Sequence, residues 1–418
     1  MEKFLIAGGA ELRGTVRIAG AKNATLPIMA ASLLCPGICT IYDVPDLRDV
    51  RVMCEILTLM GAKVEYKDGT CQLDTRNISS AEVPENLMRE MRSSVFLMGA
   101  LLGRLGRVKV SYPGGCAIGP RPIDLHLKGL AALGTRISER HGYMLAEGRE
   151  LRGSDVHLDF PSVGATENIM MAAVRARGVT LIRNAAKEPE VVDLQNFLNK
   201  MGARIRGAGT DTIKIEGVPS LGPTTHSVIP DRIEAGTFMV AAAMTKGDIY
   251  LENVIAEHVE PVTAKLREAG AEVDTKGEGI RVTASGRLQA VDVKTLPYPG
   301  YPTDMQPQTM AMLSGAEGTS VIIENIFANR FKHVDELRRM GAQIKIEGRA
   351  AVIRGVERLS GAFVEASDLR AGVALVLAGL AAEGETVIDN IYHIDRGYDS
   401  LEKKLKGIGA KIERITDR

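Results

Sequence analysis

The chain has 418 residues, too many for one ordinary core, so two domains of about 200 residues are the default. Its 52 Lys plus Arg cancel its 52 Asp plus Glu, which argues against wholesale binding to nucleic acid or an acidic membrane surface and leaves any anion site to a local basic cluster. Five cysteines, at 35, 39, 54, 71 and 116, are odd in number and lack the Cys-x-x-Cys spacing of a zinc site; the apolar run Phe4 to Ala7 is too short for a signal-peptide core, and Val373 to Ala382 is half a membrane span, so the reading is a reduced, cytoplasmic protein.

In chain order, Phe4 to Ala7 and Glu11 to Ala19 read as strands flanking Ala7-Gly-Gly9. That glycine pair lacks the Lys-Ser/Thr of a P-loop and the spacing of a dinucleotide fingerprint, and is predicted to be a hairpin turn. Six Ala- and Met-rich helices follow along the chain: Asn23 to Leu34, Arg92 to Leu102, Ala165 to Ala176, Ile233 to Met244, Met305 to Ser314 and Leu369 to Ala381. Small residues on several faces predict that they are buried. After them come β-branched strands such as Val179 to Arg183 and Asp248 to Glu252, often ending in Asn or Asp.

A second, outer helix in each copy ends on one motif, as in Met60-Gly-Ala-Lys-Val64, Leu133-Gly-Thr-Arg-Ile137 and Met201-Gly-Ala-Arg-Ile205. Its glycines fall at 61, 134, 202, 270, 341 and 409, where a helix C-cap needs a left-handed residue before a strand. The chain is therefore a sixfold α/β (α+β) repeat. The last copy stops short, and residues 1 to 21 are predicted to close it. The domains are then 22 to 229, and 1 to 21 with 230 to 418, with three repeats each and chain crossings near Gly20 and Val228.

Polar residues collect at two places in the repeat. The starts of the buried helices hold Lys22, Asn23, Arg92, Thr166, Glu167, Asp231, Asp304, Asp368 and Arg370; the connectors after the strands hold Asp49, Cys116, Arg121, Asp124, Glu188, Glu190, Arg330 and Arg396. Helix N-termini and guanidiniums directed into an interdomain cleft favour an anionic ligand. Taken singly, each Arg reads equally as a surface ion pair, and Asp231, Asp304 and Asp368 as N-caps. The stretch from Tyr112 to Asp124, with Gly114, Gly115, Gly119, Pro113, Pro120 and Pro122, is a shaped loop around Cys116. The histidines at 126, 157, 258 and 333 have no metal-ligand spacing and read as core or solvated side chains, and Cys35-Pro-Gly-Ile-Cys39 reads as a turn.

These residues carry a resemblance. Gly20-Ala-Lys-Asn-Ala24, Gly114-Gly-Cys-Ala-Ile-Gly-Pro-Arg-Pro-Ile-Asp124, Gly164-Ala-Thr-Glu-Asn168, Pro302-Thr-Asp-Met-Gln306, Glu324-Asn325 with Asn329-Arg-Phe331, and Asp395-Arg-Gly-Tyr398 resemble the UDP-N-acetylglucosamine 1-carboxyvinyltransferases, a family of enolpyruvyl transferases, over essentially the whole chain. The resemblance implies a two-domain inside-out α/β barrel, helices inside and sheets outside, with the active site in the interdomain cleft. It implies transfer of the enolpyruvyl group of phosphoenolpyruvate to the 3′-hydroxyl of UDP-N-acetylglucosamine with release of phosphate, the first committed step of peptidoglycan precursor synthesis, with no cofactor and no metal.

By the same resemblance, Lys22, Arg121 and Arg396 match phosphoenolpyruvate-binding positions, and Arg92, Arg330 and Arg370 are further members of that site. Cys116 matches a general acid, the thiol alkylated by fosfomycin, and Asp304 the base set against the sugar hydroxyl. Asn23 is implied to hold the sugar and reacting centre, while Arg121, Pro122, Ile123, Asp124, Leu125, Val163, Gly164 and Ile326 line the nucleotide-sugar, with Arg92 beside them. Pro120 departs from the Ala often found in the family and is expected to stiffen the loop. The sister enzyme acting on shikimate 3-phosphate lacks the Gly-Gly-Cys loop, and a non-catalytic paralogue would not need Lys22, Cys116, Asp304 and Arg396 together.

Overall fold

A computed structural model describes residues 2–112 and 122–416, so Cys116, Pro120 and Arg121 lie outside the described residues. The chain forms two compact units: one holds the residues up to Ala19 and from Pro230 onward, the other those from Gly20 to Ile229. Each has its own hydrophobic core. No helix among the described residues is long and apolar enough to cross a membrane.

Six helices are buried along most of their length: α1 (Lys22–Ala31), α2 (Leu97–Leu105), α3 (Val163–Ala173), α4 (Arg232–Met244), α5 (Gln306–Ser314) and α6 (Leu369–Ala381). Side chains of Ala, Gly, Thr and Met let neighbouring backbones approach, so α4, α5 and α6 pack against one another in one unit and α2 packs against α3 in the other. The sequence pattern places α6 at its observed bounds, whereas a 3₁₀ turn, Arg92–Phe96, takes the start expected of α2.

Six sheets recur among the described residues. In the unit from Gly20 to Ile229, Thr225–Ser227, Ile38–Tyr42, Thr70–Asp74 and Lys63–Lys67 lie side by side in that order; so do Asp155–His157, Val179–Arg183, Thr212–Glu216 and Arg204–Arg206. The third sheet there has three strands, Arg107–Ser111, Tyr143–Glu147 and Arg136–Arg140, with a single parallel bridge from Glu82 to Lys109 where the others have a fourth. The other unit repeats the order with Arg13–Arg17, Asp248–Glu252, Ile280–Thr283 and Glu272–Asp274; with Val293–Lys294, Thr319–Ile323, Ala350–Arg354 and Gln343–Glu347; and with Phe363–Glu365, Glu385–Asp389, Glu2–Ala7 and Lys411–Thr416. The first strand of each set of four is parallel to its neighbour and the rest are antiparallel. Alternate residues of the central strands are buried, so one face of each packs on a core.

Two expectations are corrected here. Glu2–Ala7 does complete the last sheet, but Arg13–Arg17 joins a different one, parallel to Asp248–Glu252. Elsewhere the strand before a buried helix pairs with the strand after the same helix. The chain changes unit between Ala19 and Gly20 and again between Ile229 and Pro230, so Arg13–Arg17 pairs with the strand after α4 and Thr225–Ser227 with the strand after α1. For the same reason Gly8 and Gly9 form no hairpin. Their N–H groups donate to Gly384 and Leu380 carbonyls at the end of α6, and a Cβ on Gly8 would lie 2.0 Å from the Ala382 oxygen.

The cap glycines are as predicted. All six adopt φ between +90° and +105°, and the residue after each donates to the carbonyl five positions back, Ala62 to Leu57 through Ala410 to Leu405, at 2.9–3.2 Å. This is the Schellman arrangement. Gly270 has φ +98° and open space where a Cβ would stand, so Gly270→Ala is expected to lose about 1–2 kcal/mol from backbone strain alone. Gly286→Ala, also unobstructed but without a positive φ, should change stability by less than about 0.5 kcal/mol. Denaturant titration of the two variants checks both; equal effects would contradict the strain argument.

Candidate active site

In the unit from Gly20 to Ile229, Lys22 opens α1, whose N-cap residue Ala21 offers no side-chain cap. Its ammonium is buried and lies 2.6 Å from Asp49, a first-turn residue of the helix Arg48–Leu59. A carboxylate at a helix start suits the dipole and fixes the ammonium. Asn23 beside it is exposed, and Arg92, at the head of its 3₁₀ turn, is half-buried.

Val163 and Gly164 start α3, capped by the Ser162 hydroxyl. A Cβ on Gly164 would stand 3.1 Å from Cε1 of His126, so glycine there admits the imidazole. His126 is a core histidine, as expected: Nδ1 lies 3.0 Å from Nδ2 of Asn168, which also donates to the Val95 carbonyl. Pro122 and Asp124 are exposed and Leu125 is half-buried, but Ile123 is buried in the core. Glu167, on α3, is fully buried, and neither oxygen has a hydrogen-bond partner among the described residues. Burial first, then Glu190 and Glu188, push its carboxyl well above the usual range.

The other unit separates three aspartates that read alike in the sequence. Asp231 caps α4, accepting from the Ile233 and Glu234 amides, and Asp368 caps α6 through Arg370 and Ala371. Asp304 is not at the N-cap of α5, which is Met305; it sits in the 3₁₀ turn Thr303–Met305 and turns its carboxylate to two guanidiniums. Arg330 donates to Oδ1 at 3.0 Å, and Arg370 donates to Oδ2 from Nε at 3.2 Å and Nη2 at 3.1 Å. Both arginine side chains are 3% exposed against 28% for Asp304, so the carboxylate is the member a ligand can reach. Nη1 of Arg370 and Nε of Arg330 have no hydrogen-bond partner among the described residues. Burial works to lower the Arg370 guanidinium, but Tyr398, Asp304 and Asp231 outweigh it and the net shift is upward.

Glu324 fixes the neighbouring turn. Buried, it accepts from the Thr295 and Thr303 hydroxyls and from the Ile326 and Phe327 amides at 2.8–3.1 Å, which ties Ile326 to the segment bearing Asp304. Arg396 ends the 3₁₀ turn Ile391–Arg396 and is half-buried; its neighbour Asp395 takes two bonds from Arg414 of the last strand. The structure thus groups Asp304, Arg330 and Arg370 directly. Cys116 and Arg121 lie outside the described residues.

The family described as EPSP synthase (3-phosphoshikimate 1-carboxyvinyltransferase) matches residues 6–405, and the chain belongs to this enolpyruvyl transferase family. Within it, the chain is 59% identical over 420 residues to UDP-N-acetylglucosamine 1-carboxyvinyltransferase 1 of Symbiobacterium thermophilum, covering 99% of this chain and 95% of that one. It is 57% identical to UDP-N-acetylglucosamine 1-carboxyvinyltransferase 2 of Carboxydothermus hydrogenoformans, over all of both chains. Among solved structures, the enolpyruvyl transferase NikO from Streptomyces tendae is 26% identical with a TM-score of 0.90, over 100% of this chain and 99% of that one. EPSP synthase from Acinetobacter baumannii, 19% identical over the full length of both with a TM-score of 0.76, shares the fold.

His333, 1% exposed and beside Arg330, supplies a pH test. Burial pushes its imidazole down from 6.5 to about 4, with Asp368 opposing, the Arg330 charge assisting and a backbone hydrogen bond with Arg330 opposing. The unfolded chain then takes up this proton first on acidification, so the stability His333 confers is full above about 6.5 and falls as pH drops towards about 4. His333→Leu should flatten the stability profile of its unit in that window, measured by denaturation at stepped pH; an unchanged slope would count against it.

Proposed function

We propose that the chain transfers the enolpyruvyl group of phosphoenolpyruvate to the 3′-hydroxyl of UDP-N-acetylglucosamine, releasing phosphate. The observation that carries this reading is identity of more than half, over nearly the full length, to relatives that share one name. The family-wide description favours shikimate 3-phosphate as the competing acceptor. The finer architecture belongs to the same proposal: two inside-out barrels of three repeats each, with helices inside and sheets outside, residues 22–229 carrying the cysteine loop.

The chemistry is addition followed by elimination. The Cys116 thiol gives its proton to C3 of the enol, the sugar hydroxyl adds its oxygen to C2, and Asp304 takes the hydroxyl proton. From the tetrahedral intermediate C3 then returns a proton to the Cys116 thiolate, the C2–O bond to phosphate breaks, and the phosphate leaves with the proton that Asp304 took, so the enol ether and inorganic phosphate remain. Lys22, held by Asp49, joins Arg121 and Arg396 on the phosphate and carboxylate of phosphoenolpyruvate, whose charges guanidiniums match bidentately. Arg92, Arg330 and Arg370 add positive charge, and the two last fix the carboxylate of Asp304 so that it meets the hydroxyl without searching rotamers. Asn23, Pro122, Asp124, Leu125, Val163, Gly164 and Ile326 belong to the nucleotide-sugar surface. Ile123, being buried, supports that surface from the core.

Phosphate release that requires both substrates tests the reading. Cys116→Ser and Asp304→Asn should each lower kcat by about 10²–10⁴-fold with the fold intact. Near-wild-type turnover of either would refute its assigned role, and release with shikimate 3-phosphate in place of the nucleotide-sugar would transfer the proposal to the sister reaction. Fosfomycin should label Cys116; mass spectrometry placing the adduct on Cys35, Cys39, Cys54 or Cys71 would remove its special standing.

A further inference from the structure

Tyr398 is 2% exposed and ties three buried helices at one point. Its hydroxyl lies 2.9 Å from the Thr237 hydroxyl on α4 and 3.2 Å from Nε2 of Gln308 on α5, and its ring centroid is 5.4 Å from the guanidinium carbon of Arg370 on α6. Gln308 also donates to Thr237 at 3.2 Å, closing a triangle of buried polar atoms.

The hydrogens in this triangle can be assigned by counting donors. Thr237 has a single hydroxyl proton, which it gives to the Ile233 carbonyl at 2.7 Å. It must therefore accept from Tyr398, and Gln308 directs its amide at both hydroxyl oxygens, with the Met305 sulfur a weaker third acceptor at 3.7 Å. With its proton turned to Thr237, Tyr398 offers Arg370 an oxygen lone pair and the negative face of a ring, within the range of cation–π attraction. Arg370 in turn holds Asp304 through two bonds from one edge of its guanidinium.

We propose that Tyr398, oriented by Thr237 and Gln308, is a positioning residue for the reaction: it sets the guanidinium plane of Arg370, and through it the direction in which Asp304 presents its carboxylate. The inference rests on the role given to Asp304 above. Tyr398 touches no substrate in this account and acts only through Arg370.

The test is steady-state kinetics on Tyr398→Phe, which keeps the ring and removes the oxygen, with kcat expressed per folded molecule. A positioning role predicts kcat lower by about 10–100-fold with KM for both substrates within about threefold, because the lost interaction matters at the reacting hydroxyl rather than in binding. In an Arg370→Lys background the same change should add less than about twofold, since its route is already broken. A kcat within about twofold of wild type, or a full multiplicative loss on top of Arg370→Lys, overturns the proposal. Where Tyr398→Phe fails to fold or Arg370→Lys turns over too slowly to read, Thr237→Val decides alone: it keeps the phenol, removes the acceptor that directs its proton, and must show the same kcat and KM split. Absence of wild-type phosphate release from the two substrates would defeat the functional reading instead, which this comparison of variants does not confuse with its own failure.

Discussion

Two guanidiniums at 3% exposure must be compensated, and in this protein they are compensated by one carboxylate that is itself partly open. An isolated buried charge costs several kcal/mol, and removing one member of a buried pair typically costs about 3–5 kcal/mol, so Asp304, Arg330 and Arg370 constrain one another strongly. Because the arginines come from the connector after Thr319–Ile323 and from the first turn of α6, their shared partner fixes those segments against the turn that carries Asp304. Glu324 extends the constraint by binding the Thr303 hydroxyl and the Ile326 and Phe327 amides. An arrangement set this firmly gives a ligand a fixed acceptor rather than a mobile surface.

The repeat explains why such residues are available. Every buried helix must begin somewhere, and its first turn carries amide groups that something must satisfy. At α4 and α6 an aspartate does that work through one carboxylate oxygen. At α5 the 3₁₀ turn displaces Asp304 from the capping position, which frees a side chain of the same chemistry for the arginines. In the other unit α1 begins without a side-chain cap, and Lys22 there is held from outside the helix, by Asp49. Departures from the ordinary helix start thus coincide with the residues assigned to chemistry.

Legibility followed the range of the interaction. The cap glycines could be read because left-handed φ selects glycine locally and the outer helices repeat, and Leu369–Ala381 because its apolar run is bounded by a capping aspartate and a β-branched strand. The destination of Arg13–Arg17 could not be read, since the alternation that marks a strand says nothing of which edge it joins, and the repeat pointed to the wrong sheet. Arg330, Asp304 and Arg370 were individually conspicuous, but that the first and last share the second depends on packing between segments 26 and 66 residues from Asp304. Asp49 and Tyr398 were missed as partners for the same reason. A polar residue at the head of an outer helix, and a tyrosine shortly after an arginine, were the available signals.

The exchange of Arg13–Arg17 and Thr225–Ser227 at the two crossings also sets a schedule for synthesis. The unit from Gly20 to Ile229 is complete once Ile229 has emerged, its last strand being Thr225–Ser227. The strands Glu2–Ala7 and Arg13–Arg17 leave the ribosome before all the others described, yet their partners lie at Asp248–Glu252, Glu385–Asp389 and Lys411–Thr416. At roughly 5–20 residues per second the earliest strand waits on the order of 20–80 s for its last neighbour. Once Ile229 is out, an apolar stretch with open backbone edges remains tethered to an already folded unit, so residues 2–17 form the segment of the nascent chain with most need of a chaperone.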